Sequence, residues 1–147
     1  MRYRIIVAGK PALEFTKGAI VEYLKRLSRF GSYEFVIVKA GDSEQVSKRL
    51  LDQSEGCYRV ALDERGKAIS TRNLVEKIER WEMAGEIKEV AFLIGAADGH
   101  TAELKSKSDL VLSLSTMTMQ HELALVVLLE QLYRIGTIKK GTPYHRD

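Results

Sequence analysis

Cysteine is almost absent. Cys57 stands alone, which excludes an intrachain disulfide and any zinc site built from the cysteines of one chain, and fits a reducing compartment. Proline is nearly as scarce, with 2 among 147 residues, while 45% of the chain is hydrophobic; disorder therefore does not describe the chain as a whole. Long apolar runs are missing as well. The longest, Leu123–Leu129, stops at Glu130, well short of the roughly 20 residues a membrane span needs. Met1–Lys10 holds only the apolar run Ile5–Gly9, below the roughly 7–15 residues of a secretory signal. A cytoplasmic protein with no membrane partner is expected.

An excess of one charge is also lacking. The chain carries 23 Lys+Arg against 20 Asp+Glu, a net charge of +3, with a pI near 9.0. That balance permits an anionic partner such as nucleic acid and is too small to establish one. With 3 histidines scattered along the chain, no metal constellation and no nucleophile triad can be read. The length matches one domain, large enough to bury about 68–70% of the surface of the unfolded chain.

What is present is an alternation of two kinds of segment. Short aliphatic and β-branched runs stand at Tyr3–Ala8, Tyr33–Val38, Tyr58–Leu62, Val90–Ile94 and Leu110–Leu114. They are strand-length and nearly continuously apolar, as strands covered on both faces are. Between them the apolar spacing turns helical. Ile20, Tyr23, Leu24, Leu27 and Phe30 form one stripe, stopped by Gly31; Val46, Leu50 and Leu51 form another after the capping types Asp42 and Ser43; Leu74, Ile78 and Trp81 form a third, ended near Gly85. From His121 to about Ile135 the chain is apolar nearly all round, which predicts a helix buried on every side and, in so small a domain, a subunit interface. The order β-α-β-α-β-α-β-α-β-α predicts an open parallel α/β sheet. Ligands of such sheets bind beyond the carboxyl ends of the strands, so the loops that matter are Gly9–Leu13, Lys39–Ser43, Asp63–Ser70, Gly95–Thr101 and Ser115–Gln120.

Gly95-Ala96-Ala97-Asp98-Gly99-His100 follows an apolar strand. It matches neither a phosphate loop nor the dinucleotide fingerprint, and reads either as a ligand-approaching turn or as an ordinary glycine-punctuated one. Ser115-Thr116-Met117-Thr118-Met119-Gln120 carries no charge. Its backbone groups, hydroxyls and thioethers suit an adenine, or else the methionines fill gaps in the core. Asp63-Glu64-Arg65-Gly66-Lys67 reads as a solvated turn. His100 reads as a surface loop residue and His121 as a structural group at a helix start. The tail Tyr144-His145-Arg146, with Lys139 and Lys140 upstream, reads either as a frayed end or as a place where an aromatic ring and a guanidinium meet a base and a phosphate.

Leu62-Asp63 with Gly66-Lys67 and Ser70, then Leu93-Ile94-Gly95, Asp98-Gly99, Leu114-Ser115, Met117-Thr118 and His121, and finally Glu130-Gln131-Leu132-Tyr133-Arg134 with Tyr144-His145-Arg146, resemble in order and spacing the RlmH-type ribosomal RNA large-subunit methyltransferases of the SPOUT superfamily. The resemblance spans essentially the whole chain and is most specific in its last third. It implies a single SPOUT methyltransferase domain over residues 1–147, with a Rossmann-like parallel α/β sheet and a C-terminal trefoil knot, an exception to the rule that chains avoid knots. It further implies a homodimer, S-adenosylmethionine as cofactor, no metal, and methylation of N3 of a pseudouridine in 23S rRNA of the assembled ribosome.

Carried over residue by residue, the cofactor contacts are Leu62, Gly95, Ala96 and Ser115, Thr116, Met117, Thr118, Met119 and Gln120. Tyr144, His145 and Arg146 would meet the RNA, completing the partner subunit's pocket. The pseudouridine N3 is a weakly acidic imide that must lose its proton. His145 is the candidate for that step, with Arg146 or Arg134 facing the developing oxyanion. The sequence departs from the family pattern at Ala96, where a second glycine is usual, at Gln120, where proline is common, and at Leu125, where an arginine is often found. Gln120 is expected to loosen its turn. These departures also motivate the alternative of a dimeric ribosome- or RNA-binding protein that keeps the fold without turnover.

Overall fold

The computed structural model describes Met1–Asp147. Ten elements alternate along the chain: β1 (Arg2–Ala8), α1 (Glu14–Leu27), β2 (Tyr33–Val38), α2 (Ser43–Gln53), β3 (Tyr58–Ala68), α3 (Thr71–Ala84), β4 (Glu89–Ile94), α4 (Ala102–Ser106), β5 (Leu110–Ser113) and α5 (His121–Lys140). The strands form one 5-stranded sheet in the order β2-β1-β4-β3-β5, and every pairing is parallel. The expected α/β class and strand positions are therefore present.

Successive residues of a strand point to opposite faces, and this sheet is covered on both. Ile5 and Val7 of β1 and Phe92 of β4 join Ile20 and Leu27 of α1, Ile78 of α3 and Leu128 of α5 in one core. Ile6 and Leu93 point the other way, to Val46 and Leu50 of α2 and Leu104 of α4. Double coverage explains why these strands read as continuous apolar runs rather than as alternating ones.

Local chemistry places most helix ends. Asp42 caps α2 through a reciprocal box with Gln45, Ser70 caps α3, and Gly85 ends α3 in the left-handed conformation at φ 71°, which a residue with a Cβ adopts only at a cost. Helix α1 is different. It begins well before the stripe that announced it, and its N-cap residue Leu13 supplies no side-chain hydrogen bond. The segment that enters the helix is held from α5 instead: the Glu122 carboxylate accepts from the Ala12 N–H at 3.0 Å, the Leu13 N–H at 3.1 Å and the Thr16 hydroxyl at 2.6 Å.

Three expectations need correction. Asp63–Lys67 is not a solvated turn but the bulged second half of β3, where pairing with β5 resumes at Lys67↔Leu112 after a register shift. Gly66 makes this possible, because a Cβ there would stand 2.6 Å from the Val111 carbonyl oxygen. Helix α5 runs to Lys140, beyond the expected end. Nor is it buried on every side of this chain: Leu125, Leu128, Leu129 and Leu132 are enclosed, while Leu123 is 40% exposed and Val126 and Val127 are half-buried. An all-round apolar helix leaves one flank uncovered when its own domain supplies only one side.

Candidate cofactor cleft

The ends of β3, β4 and β5 open into a cleft of about 590 Å³. Three segments make its walls: Leu62–Arg65 from the β3 bulge, Ile94–His100 after β4, and Leu114–His121 leading into α5, with Lys105 of α4 and Ala124 of α5 closing the sides. The position beyond the strand ends is the expected one for a parallel α/β sheet. The β3 wall and the wall leading into α5 are tied together by a hydrogen bond from the Thr118 hydroxyl to the Glu64 carboxylate.

Most of the residues picked out in the sequence meet here. Leu62, Gly95, Ala96, Ser115, Met117, Thr118, Met119 and Gln120 all line the cleft; Thr116 does not, and its side chain is exposed to solvent. Within the last wall, Ser115 Oγ accepts from the Met117 N–H at 3.0 Å and Ser113 Oγ donates to the Ser115 carbonyl at 2.8 Å. Gln120 does not loosen the turn into α5. Its Oε1 accepts from the N–H groups of Glu122 and Leu123 at 2.8 and 3.0 Å, so it is the N-cap of the helix. Leu125, where the resembled family often carries arginine, is a core residue at 2% exposure.

Charge in the cleft is arranged rather than absent. Asp63, Glu64 and Asp98 face it, as do Arg65 and Lys105, but Lys105 is already paired with Asp63 at 3.0 Å. Burial alone would push the Asp63 carboxyl up; the Arg65 N–H and the Lys105 ammonium outweigh it and hold the carboxyl below its ordinary value.

His100 is the residue the sequence reading misplaced. It is not on the surface but 8% exposed, tucked under the turn after β4. Its Nε2 lies 3.2 Å from the Leu93 carbonyl oxygen, and burial, the largest influence, pushes the imidazole below the usual histidine range. The neutral ring therefore donates through Nε2–H, which leaves Nδ1 as an acceptor. That nitrogen is buried without a partner.

The tail does not reach this cleft. Tyr144, His145 and Arg146 are absent from its walls, and the segment is seated instead on α5 and α3. The Tyr144 ring meets Tyr133 edge-on at 4.8 Å, with the Arg134 guanidinium 4.8 Å from its centroid. Tyr144 OH donates to Glu130 at 3.2 Å, and Arg134 approaches His145 Nδ1 at 3.2 Å. His145 Nε2 and Arg72 both hold Asp147. Glu130 lies nine residues beyond His121, which at 1.5 Å per residue is about 14 Å along the helix. The tail is packed, not frayed, and in this chain it belongs to a second site.

The comparisons with known proteins bear on the whole chain. The family described as "Predicted SPOUT methyltransferase" matches residues 1–145. This chain belongs to the SPOUT methyltransferase family. It is similar to "Ribosomal RNA large subunit methyltransferase H" of Thermus thermophilus, at 43% identity over 146 residues covering 99% of both chains. The protein of the same name from Deinococcus radiodurans is 37% identical, again over 99% of each. Among solved structures, a probable methyltransferase of Bordetella pertussis superposes with a TM-score of 0.62 at 15% identity, covering 91% of this chain and 95% of that one. A probable methylase family protein of Haemophilus influenzae does so with 0.61 at 13%, covering 99% of this chain and 70% of that one. These two likenesses bear on the fold, and they agree with the parallel α/β sheet described above.

The cleft suits the cofactor that SPOUT methyltransferases use. S-adenosylmethionine presents an adenine, two ribose hydroxyls and a tail with a sulfonium, an ammonium and a carboxylate. The uncharged Ser115–Gln120 wall offers backbone groups and thioethers to the first, and Asp63, Glu64 and Asp98 offer carboxylates to the cations. The orphaned His100 Nδ1 offers an acceptor to a hydroxyl.

Proposed function

We propose that this chain, as one catalytic domain, transfers the methyl group of S-adenosylmethionine to N3 of a pseudouridine in 23S rRNA of the assembled ribosome, and that it does so in the cytoplasm as a homodimer with a knotted C-terminal segment. The observation that carries the proposal is the meeting, in one cleft, of the uncharged Ser115–Gln120 wall and the Gly95–Ala96 turn, in a chain alike end to end with a ribosomal RNA methyltransferase.

When bound, the cofactor supplies a methyl group already activated on a sulfonium. The work left to the protein is alignment and handling one proton. Ser115, Met117, Thr118, Met119 and Gln120 would hold the nucleoside, with Leu62, Gly95 and Ala96 opposite. Thr116, being outside the cleft, is left out of that set. His145 is the proposed acceptor of the imide proton, with Arg146 or Arg134 facing the developing oxyanion. As the tail is seated here both ring nitrogens of His145 are engaged. Proton acceptance therefore requires the tail to leave that seat and enter the cleft of a second copy.

Two further observations support the assembly. Phe15 and Val21 of α1 are 67% and 69% exposed, and Leu13, Met117 and Leu123 are exposed as well; exposed apolar side chains on α1 and at the start of α5, two helices that pack on each other, suit an interface. The knot rests on membership of the family; the chain leaves the edge strand β5, forms a wall of the cleft and returns in α5 to pack against α1, a route compatible with it. No helix is long and apolar enough to cross a membrane.

The test is isothermal titration of the purified protein with S-adenosylmethionine, read as affinity and stoichiometry per chain. Saturable micromolar binding is expected, and loss of that binding in Gly95→Val would tie it to the cleft. No heat at millimolar cofactor contradicts the proposal.

A further inference from the structure

The Gly95–His100 turn holds an unexplained group. A buried nitrogen acceptor without a donor is destabilising, and a protein that needed only to fill space there would use an apolar side chain. His100 instead keeps a ring whose two nitrogens are distinguished. Nε2–H is spent on the Leu93 carbonyl at 3.2 Å, which sets the tautomer, and Nδ1 is left with its lone pair free. The edge carrying Nδ1 and Cε1 is turned toward Gly95: a Cβ on that residue would stand 3.1 Å from both atoms. Gly95 thus admits the ring to the wall of the cleft, which His100 lines despite its burial. Two charged groups act on the ring from the neighbouring elements, Asp63 of β3 and Lys105 of α4, and they are paired with each other.

We infer that His100 is a cofactor-specificity residue whose Nδ1 accepts a hydrogen bond from a ribose hydroxyl of the nucleoside bound in the cleft. This rests on the reading of the cleft as an S-adenosylmethionine site. The assignment to the ribose follows from the donors available. The adenine amine is served by the carbonyl groups of the Ser115–Gln120 wall, and the ammonium of the amino-acid tail by the carboxylates of Asp63, Glu64 or Asp98. Only the hydroxyls remain for a neutral nitrogen acceptor. The turn over the ring is bounded by two glycines, and Gly99 takes φ 78°, a conformation that a residue with a Cβ adopts only at a cost.

The test is a thermodynamic cycle on the whole protein, with S-adenosylhomocysteine and its 2′,3′-dideoxy analogue as probes and His100→Leu as the variant. In the wild type, loss of the hydroxyls should weaken binding about 3–10-fold, the worth of one neutral hydrogen bond; in the variant the two probes should bind within about 2-fold of each other. A parallel readout uses the unmodified protein: the ¹⁵N resonance of His100 Nδ1 should move upfield, away from the free acceptor position, with S-adenosylhomocysteine and not with the dideoxy analogue. Binding of S-adenosylhomocysteine without that shift, or with an unchanged cycle, overturns the role of His100 and leaves the cofactor cleft standing. Absence of binding by either probe overturns both.

Discussion

The Glu122 carboxylate accepts a hydrogen bond from the Leu13 N–H at 3.1 Å, across 109 residues of sequence, and so the first turn of α5 holds the segment that enters α1. Ala12 and Thr16 complete the same set. The cleft wall that leads into α5 is thereby anchored to the helix at the other end of the chain, which links the site to the fold at one buried carboxylate.

Glu122→Ala leaves two backbone donors without their acceptor, while the Thr16 hydroxyl keeps the Leu13 carbonyl at 2.9 Å, and should lower stability by about 2 kcal/mol, since hydrogen bonds to charged groups are worth ~1.5–3 kcal/mol. Glu122→Gln, which keeps one acceptor oxygen, should lose less. Burial pushes this carboxyl up, but the hydrogen bonds from Thr16, Leu13 and Ala12 outweigh it and the net direction is down. A folded value below the unfolded one gives stability that is complete above the unfolded value of 4.5 and is lost as pH falls through the folded value. Thermal unfolding of the wild type and both variants between pH 3 and 7 should show the differences shrinking on acidification. A gap that stays constant with pH would contradict the account.

How much of this was legible in the sequence differs from element to element. The strands were, because double coverage makes their apolar character continuous, and α2 and α3 were, because their apolar stripes are bounded by Asp42 and Gly85, which act on adjacent backbone. The start of α1 was not, because the segment entering it is held by Glu122 and no local pattern can announce a partner so distant. The second half of β3 was hidden by its composition: Asp63–Lys67 reads as a turn unless one knows that Gly66 slips under Val111. The cleft's place beyond the strand ends was legible, but its uncharged wall and glycine turn each left an ordinary alternative open, and the family resemblance joined them. His100 escaped because a histidine beside a glycine in a loop gives no sign of being buried. The tail was noticed for its residue types, but its seat on α5 depends on Glu130, Arg134 and Arg72, which nothing in the spacing joins to it.

Gly66→Ala places a Cβ 2.6 Å from a backbone carbonyl oxygen, which cannot move aside as a flexible side chain would. The β3–β5 pairing beyond the bulge should open, at a cost of about 1–3 kcal/mol as for other overpacked sites. Because Asp63, Glu64 and Arg65 of the same bulge line the cleft, cofactor affinity should fall with it. Denaturant unfolding and calorimetric titration of the variant check both effects. A variant of unchanged stability would mean that the bulge is not held as described.

At Gln120 the side-chain cap and the backbone can be separated. Gln120→Ala removes the acceptor for Glu122 and Leu123 and should cost about 1 kcal/mol. Gln120→Pro also removes it, but the backbone already sits at φ −59°, which a proline ring favours, and the stiffer unfolded chain offsets part of the loss. Proline should therefore be the better tolerated of the two. Melting temperatures of the pair decide the matter, and alanine proving the more stable would contradict it.

His145→Ala should slow methyl transfer while leaving the affinity for S-adenosylmethionine unchanged, because the ring lies outside the cleft walls of its own chain. The Arg72 guanidinium, with His145 second, holds the Asp147 carboxyl down to about 2, so the tail's ionic clasp persists through ordinary working pH. Single-turnover rates beside calorimetric affinities test this. Unchanged turnover would remove His145 from the chemistry.

The most direct test of the central claim is transfer of labelled methyl groups from S-adenosylmethionine to ribosomes that lack the modification. The account predicts close to one methyl group per ribosome, recovered in 23S rRNA as N3-methylpseudouridine. A protein that binds the cofactor and leaves such ribosomes unlabelled would contradict it, and the role of a binding protein that keeps the fold without turnover would stand in its place.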